Sequence, residues 1–160
     1  MVSDSSRADP LERQAWEALA TVMDPEIPVV SVVELGIVRH VRRADDGRLH
    51  VGITPTYSGC PATEVIEHSI REALERQGLA DAVVETVLWP AWTTDWVSEA
   101  GRRKLEAFGI AVERKPSARI VCPRCGSPRV QRASEFGSTP CKAHYRCDEC
   151  LEPFDTFKCI

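Results

Sequence analysis

The residues best able to do chemistry in this chain are its cysteines, and six of the seven lie in the last 39 residues. Cys122-Pro123-Arg124-Cys125 and Cys147-Asp148-Glu149-Cys150 are Cys-x-x-Cys knuckles separated by 21 residues. Two residues between ligands let both sulfurs of a knuckle face one point, and the gap accommodates a hairpin that brings the knuckles together. We therefore predict a structural four-thiolate metal site at Cys122, Cys125, Cys147 and Cys150, with zinc as the leading candidate and iron as the alternative.

Two further cysteines of this segment, Cys141 and Cys159, fall outside the knuckle spacing. They could be exchangeable ligands during metal handling, or packed thiols inside a compact ribbon. The pattern favours packed thiols, because free cysteine is among the most buried residue types.

The remaining cysteine, Cys60, ends a hydroxyl-rich loop that begins at Thr54 and includes Thr56. Pro61 follows and is typical of a helix start, so Cys60 falls at or beside the N-cap. Unpaired N–H groups at a helix N-terminus lower the pKa of a thiol and stabilise the thiolate. Cys60 is thus a candidate reactive thiol or transient metal ligand, with a buried inert cysteine as the alternative.

Other polar and aromatic segments allow a structural explanation as well. Asp24 and Glu26 lie on a turn between two prolines, where turn chemistry accounts for them as well as a functional role does. Three tryptophans within Trp89–Trp96 predict a mixture of core lid and partner surface. The histidines show no ligand spacing, and we find no Ser/His/Asp order, phosphate loop or diiron motif, which weakens independent enzyme functions.

The composition predicts a folded protein, since 43% of the 160 residues are hydrophobic and 28% are charged. Its net charge of -4 offers no general attraction for nucleic acid or anionic membranes. We also find no apolar run of membrane-spanning length, and the first ten residues lack the pattern of a signal peptide. We expect a cytoplasmic protein.

Charge and cysteine content divide the chain into two units. We predict an acidic α+β domain over residues 1–113, a polar linker over 114–117 and a mildly basic zinc-ribbon module over 118–160. A module of about 43 residues cannot bury enough apolar surface to be stable alone, so the metal would supply much of its folding free energy.

The first unit must position the candidate residues through a small mixed β-sheet with helices in the order αββαβα. Helices are predicted from Asp9 or Pro10 to about Met23, from Pro61 to Gly78, and from a Thr93 or Thr94 cap to about Phe108. Strands are predicted over residues 37–43 and 49–54 as a hairpin, and over 82–89 in parallel through a right-handed crossover.

Several of these segments carry a family resemblance. Asp24-Pro25-Glu26, Glu34-Leu35-Gly36, Gly59-Cys60-Pro61 and the Pro90/Trp92 segment resemble the iron-sulfur assembly domain of SufT and MIP-type targeting factors, over about residues 10–112. With the C-terminal segments Phe136–Thr139, Cys141–Ala143 and Glu152–Cys159, the chain is similar to the PaaD family, a component of the bacterial phenylacetyl-CoA epoxidase system.

The resemblance implies a non-catalytic accessory role in phenylacetate catabolism, assisting iron-sulfur or diiron maturation of a partner subunit. It implies that Cys60 is a transient ligand for iron or a cluster, supported by Asp24, Glu26, Thr54 and Thr56. The implied partners are the reductase or oxygenase subunits of the epoxidase, or iron-sulfur assembly proteins. Two alternatives stay open: a zinc-ribbon adaptor without metal transfer, and an enzyme with Cys60 as nucleophile.

Overall fold

The computed structural model describes residues 9–57, 60–112 and 119–158. Its first helix, α1 (Pro10–Leu19), begins as the sequence predicts, because the Asp9 carboxylate accepts the Leu11 N–H at 2.9 Å. It ends before the predicted Met23. Met23 instead forms an antiparallel bridge with Ser31, and this bridge turns the chain toward the acidic turn at Asp24.

A three-stranded mixed sheet follows, in the strand order β1-β2-β3. Strands β1 (Val38–Arg43) and β2 (Leu49–Ile53) form the predicted antiparallel hairpin. Helix α2 (Ala62–Arg76) then connects β2 to β3 (Val83–Thr86), and these two strands pair in parallel. The predicted crossover is confirmed, and it places the end of β2 beside the start of α2.

The last helix of the first unit begins later than predicted. Thr93 caps a short 3-10 turn (Thr94–Trp96), and Val97 then adopts an extended conformation. Ser98 is the true cap of α3 (Glu99–Phe108), since its hydroxyl accepts the Gly101 N–H at 3.0 Å. The predicted cap at Thr93 or Thr94 is therefore wrong for this helix. Two competing hydroxyl caps lie close together, and the extended residue between them decides which one starts the α-helix.

The ribbon sheet has the strand order β4-β7-β6-β5. Three of its strands lie after the predicted linker: β5 (Val130–Ser134), β6 (Lys142–Cys147) and β7 (Pro153–Phe157). The fourth, β4 (Ile110–Ala111), directly follows α3 and pairs in parallel with β7. The ribbon sheet thus takes an edge strand from the first unit, while the predicted linker itself lies outside the described residues.

Two hydrophobic clusters form the core. The larger one fills the space between the first sheet and its helices, and it also contains Cys141 and Phe157 from the ribbon. Phe157 packs against Trp92 with ring centroids 5.6 Å apart. The smaller cluster surrounds the cysteine knuckles and includes Phe154. The two units therefore share core packing rather than only a covalent connection.

Across the described ranges, none of the helices is both long enough and apolar enough to cross a membrane.

Candidate functional site

The four knuckle cysteines converge in the ribbon. Their sulfur atoms all lie within 4.8 Å of one another, with Cys122 Sγ 3.6 Å from Cys150 Sγ and Cys125 Sγ 3.6 Å from Cys147 Sγ. A tetrahedral zinc-thiolate centre with bonds of about 2.3 Å requires sulfur separations of about 3.8 Å. The predicted ligands are thus brought together at a spacing that fits one tetrahedral ion.

The backbone of each knuckle also favours negative charge on sulfur. Arg124 N–H donates to Cys122 Sγ and Glu149 N–H donates to Cys147 Sγ, each at 3.4 Å. The backbone N–H of Cys150 is the main cause that lowers the pKa of Cys147 to about 7. A backbone N–H also acts to lower the pKa of Cys150, but desolvation and the neighbouring sulfurs outweigh it and raise this pKa to about 12. Four thiols this close cannot all ionise without a cation among them.

A second site is a small pocket where the two units meet. The five residues predicted around Cys60 all line it: Asp24, Glu26, Thr54, Thr56 and Cys60. Its cavity volume is about 20 Å³, room for a single water molecule or ion. The geometry brings the predicted residues together, while their roles remain to be tested.

The end of β2 and the start of α2 position Cys60. Thr54 follows β2, donates its N–H to Ile37 O at 2.8 Å and is only 2% exposed. Cys60 itself donates its N–H to Tyr57 O at 3.3 Å, and its carbonyl accepts the Thr63 N–H at 3.1 Å. The N-cap position belongs to Pro61, so Cys60 lies directly before the cap. The intervening Ser58 and Gly59 lie outside the described residues.

The acidic turn has both a structural and an electrostatic character. Asp24 Oδ1 accepts the N–H groups of Glu26 and Ile27 at 2.9 and 2.8 Å, so this buried carboxylate holds the turn. Partial burial of Glu26, together with the charge of Asp24, raises the pKa of its carboxyl group, although Lys142 opposes the shift. Turn chemistry therefore explains Asp24, and Glu26 is the carboxylate left to face the pocket.

Glu34, which the resemblance also includes, does not line this pocket. Its carboxylate accepts the Ser31 N–H at 2.9 Å and the Lys104 ammonium at 2.6 Å. Burial acts to raise the pKa of Glu34, but these partners outweigh it and lower the pKa overall. The residue fixes a turn and ties it to α3.

Sequence reasoning did not place two ribbon residues at this pocket: Cys141 and Phe157. Cys141 is 5% exposed and lies 3.0 Å from the Thr139 hydroxyl through its sulfur. Burial is the main cause that raises the pKa of its thiol. The expected packing of Cys141 is confirmed, but it packs at the Cys60 pocket. Its exclusion from the knuckle spacing was the one signal in the sequence. Cys159 lies outside the described residues.

The remaining candidates divide as the sequence suggested. Trp92 is buried and donates its Nε1–H to Leu35 O at 2.8 Å, whereas Trp89 is 83% exposed. His40 and His50 both approach Glu85, at 3.3 and 3.9 Å. Within the described part of the chain, the only group of three or more close metal-binding side chains is the knuckle set. The histidines accordingly form no ligand set there.

Comparison with known proteins agrees with both sites. Residues 12–89 match the model of the iron-sulfur cluster assembly protein family, and residues 110–158 match the PaaD zinc beta ribbon domain. A crystal structure of the DUF59 domain from Bacillus anthracis superposes with a TM-score of 0.53 at 26% identity, covering 59% of this chain and 91% of that one.

Two curated relatives are similar in sequence. The Fe-S protein maturation auxiliary factor YitW of Bacillus subtilis (strain 168) is 36% identical over 55% of this chain and 86% of its own length. A protein of Escherichia coli (strain K12), proposed to be the fourth-lettered (D) component of its 1,2-phenylacetyl-CoA epoxidase, is 46% identical over 96% of both chains. This chain belongs to the PaaD family, in which an iron-sulfur assembly domain is joined to a zinc ribbon.

Proposed function

We propose that this protein is a non-catalytic accessory subunit of a phenylacetyl-CoA epoxidase system that helps to mature an iron-sulfur or diiron centre in a partner subunit. One observation carries the proposal: Cys60 lies in a pocket with Asp24, Glu26, Thr54 and Thr56, and that pocket fits an ion rather than an organic substrate. The similarity to proteins named as Fe-S maturation factors supports the same role.

In this role Cys60 is the transient ligand. Its thiol offers a soft donor for iron, while Glu26 and the threonine hydroxyls offer oxygen donors to the same cavity. The buried Asp24 keeps the turn that carries Glu26 in place. The ribbon binds zinc through Cys122, Cys125, Cys147 and Cys150. Four thiolates leave no open position on that ion, so its role is structural.

The partner is a reductase or oxygenase subunit of the epoxidase. Two exposed apolar side chains beside the pocket, Leu88 at 69% and Trp89 at 83% exposure, provide a contact surface for it. The same surface favours the adaptor alternative, in which the protein holds a complex together and transfers no metal.

Substitution separates the two functions. Cys60→Ser should abolish growth on phenylacetate while zinc content and protein level stay normal, because serine is nearly isosteric and removes only the soft donor. Trp89→Ser should weaken co-purification with the partner while leaving the pocket intact. Normal growth with a well-expressed Cys60→Ser protein would contradict the maturation role and favour the adaptor.

A further inference from the structure

The Cys60 pocket contains a second thiol that comes from the ribbon. Cys141 lines the same cavity as Cys60, although 80 residues of sequence separate them. Its backbone is held in place, since its carbonyl accepts the Lys158 N–H at 2.9 Å and the following Lys142 N–H donates to Thr139 O at 3.1 Å. The pocket therefore holds a pair of cysteines on two separately folded segments.

Shared core packing keeps these segments together. Phe157, which follows Cys141 across the β6–β7 pairing, lines the pocket and packs on Trp92. Phe157 is 2% exposed and Cys141 is 5% exposed, so neither is a surface residue that happens to lie nearby. The ribbon forms one wall of the pocket, with its thiol in that wall.

The cavity limits what the two thiols can bind. A volume of about 20 Å³ admits one water-sized particle, whereas a preassembled iron-sulfur cluster is several times larger. Soft sulfur beside the oxygens of Glu26 and the threonines suits a borderline divalent ion such as Fe²⁺.

The site is also open enough to release its ion. Within the residues that the structure describes, the pocket does not bring three carboxylate, imidazole or thiol donors within 4.8 Å of one another, as the ribbon does. Water must therefore complete the coordination. A two-thiol site of this kind binds more weakly than a closed four-cysteine site, which suits a metal that is passed on.

We propose that Cys60 and Cys141 together bind a single ferrous ion as cargo, so that the ribbon supplies half of the metal-handling site. This inference rests on the proposed maturation function. Each thiol gives its proton to solvent as its sulfur binds the ion, and both are reprotonated when ligands of the client take the ion over. The iron stays divalent, so the exchange needs no oxidant or reductant.

Cobalt(II) provides a spectroscopic test in the full-length, zinc-loaded protein, where zinc keeps the ribbon occupied. X-ray absorption at the cobalt edge reports only the added metal, and we expect two sulfur ligands in the unmodified protein. Cys60→Ser and Cys141→Ser should each leave one sulfur and weaken cobalt binding by more than about tenfold. Thr63→Ser, a conservative change at the same pocket, should leave both values unchanged.

The unmodified protein decides the question even if a variant folds poorly. One sulfur ligand at the cobalt edge, or unchanged cobalt binding in a zinc-retaining Cys141→Ser protein, would overturn the two-cysteine site. An absence of cobalt binding beyond the ribbon would overturn it as well. These outcomes are separate from failure of the proposed function, which is tested by growth of the Cys60→Ser strain. Normal growth with Cys141→Ser but none with Cys60→Ser would reject the ribbon's contribution and keep the maturation role.

Discussion

Phe157 joins the ribbon to the first domain, and its removal tests whether the two units are one cooperative structure. Its ring is 2% exposed, belongs to the larger core cluster and packs on Trp92 at 5.6 Å. Replacing a buried phenylalanine by alanine costs about 3 to 5 kcal/mol, because apolar burial is lost and a cavity remains. We therefore expect Phe157→Ala to lower the free energy of unfolding by about 3 to 5 kcal/mol.

Phe136 is the matched control on the same ribbon. It is 56% exposed, and its main contact is the Lys158 ammonium, 3.9 Å from the ring centroid. An exposed cation–π pair contributes about 0.5 to 1 kcal/mol, so Phe136→Ala should cost no more than that. Equal costs for the two substitutions, or a loss below about 1 kcal/mol for Phe157→Ala, would refute the shared core.

The assay is reversible denaturant unfolding of the zinc-loaded protein, with hydrogen exchange as a local probe. The Trp92 indole N–H, bonded to Leu35 O at 2.8 Å, lies in the first domain. Its exchange should become faster in Phe157→Ala and stay unchanged in Phe136→Ala. Faster exchange in both proteins would indicate a general loss of stability rather than a specific interface.

Three further predictions concern other parts of the structure. Replacing both Cys122 and Cys147 by serine should remove the tightly bound zinc, and elemental analysis showing one zinc per chain in that protein would exclude the ribbon site. Asp155→Asn should lower the free energy of unfolding by about 1 kcal/mol at pH 7 after allowance for solvent screening. Burial acts to raise the pKa of Asp155, but its hydrogen bonds lower it overall, so this carboxylate stabilises the fold above its unfolded pKa of about 3.9, and the difference between the two proteins should disappear as the pH falls below that value. Gly36→Ala should destabilise more than Gly47→Ala: both glycines have positive φ, but a Cβ at Gly36 would come 2.6 Å from the Trp96 backbone, whereas one at Gly47 has nothing within 4 Å; equal unfolding midpoints would contradict this.

Local patterns in the sequence predicted most of the first domain. Alternating hydrophobicity located the β1–β2 hairpin, and the order of strand, helix and strand gave the parallel pairing of β2 with β3. The cap of α3 was misplaced because Thr93 and Ser98 are both good caps, and only the extended Val97 between them decides. Boundaries that depend on one backbone conformation are not encoded in hydrophobic periodicity.

The candidate sites were predictable to the extent that their residues are close in sequence. The knuckle spacing alone located the four ribbon ligands. The position of Cys141 beside Cys60 depends on how the ribbon packs on the first domain, and also on a two-residue strand, β4, that pairs with β7. A strand that short has no periodicity to detect, so this long-range arrangement could not be predicted from the sequence.

The most direct test of the maturation role is the iron content of the partner oxygenase and reductase subunits purified from cells. Three strains are compared, carrying the unmodified protein, its Cys60→Ser variant or no copy. With the unmodified protein we expect full iron occupancy of one partner, and with Cys60→Ser we expect occupancy as low as in the strain without a copy, although the variant keeps its zinc. Equal iron occupancy of both partners in all three strains would contradict the account.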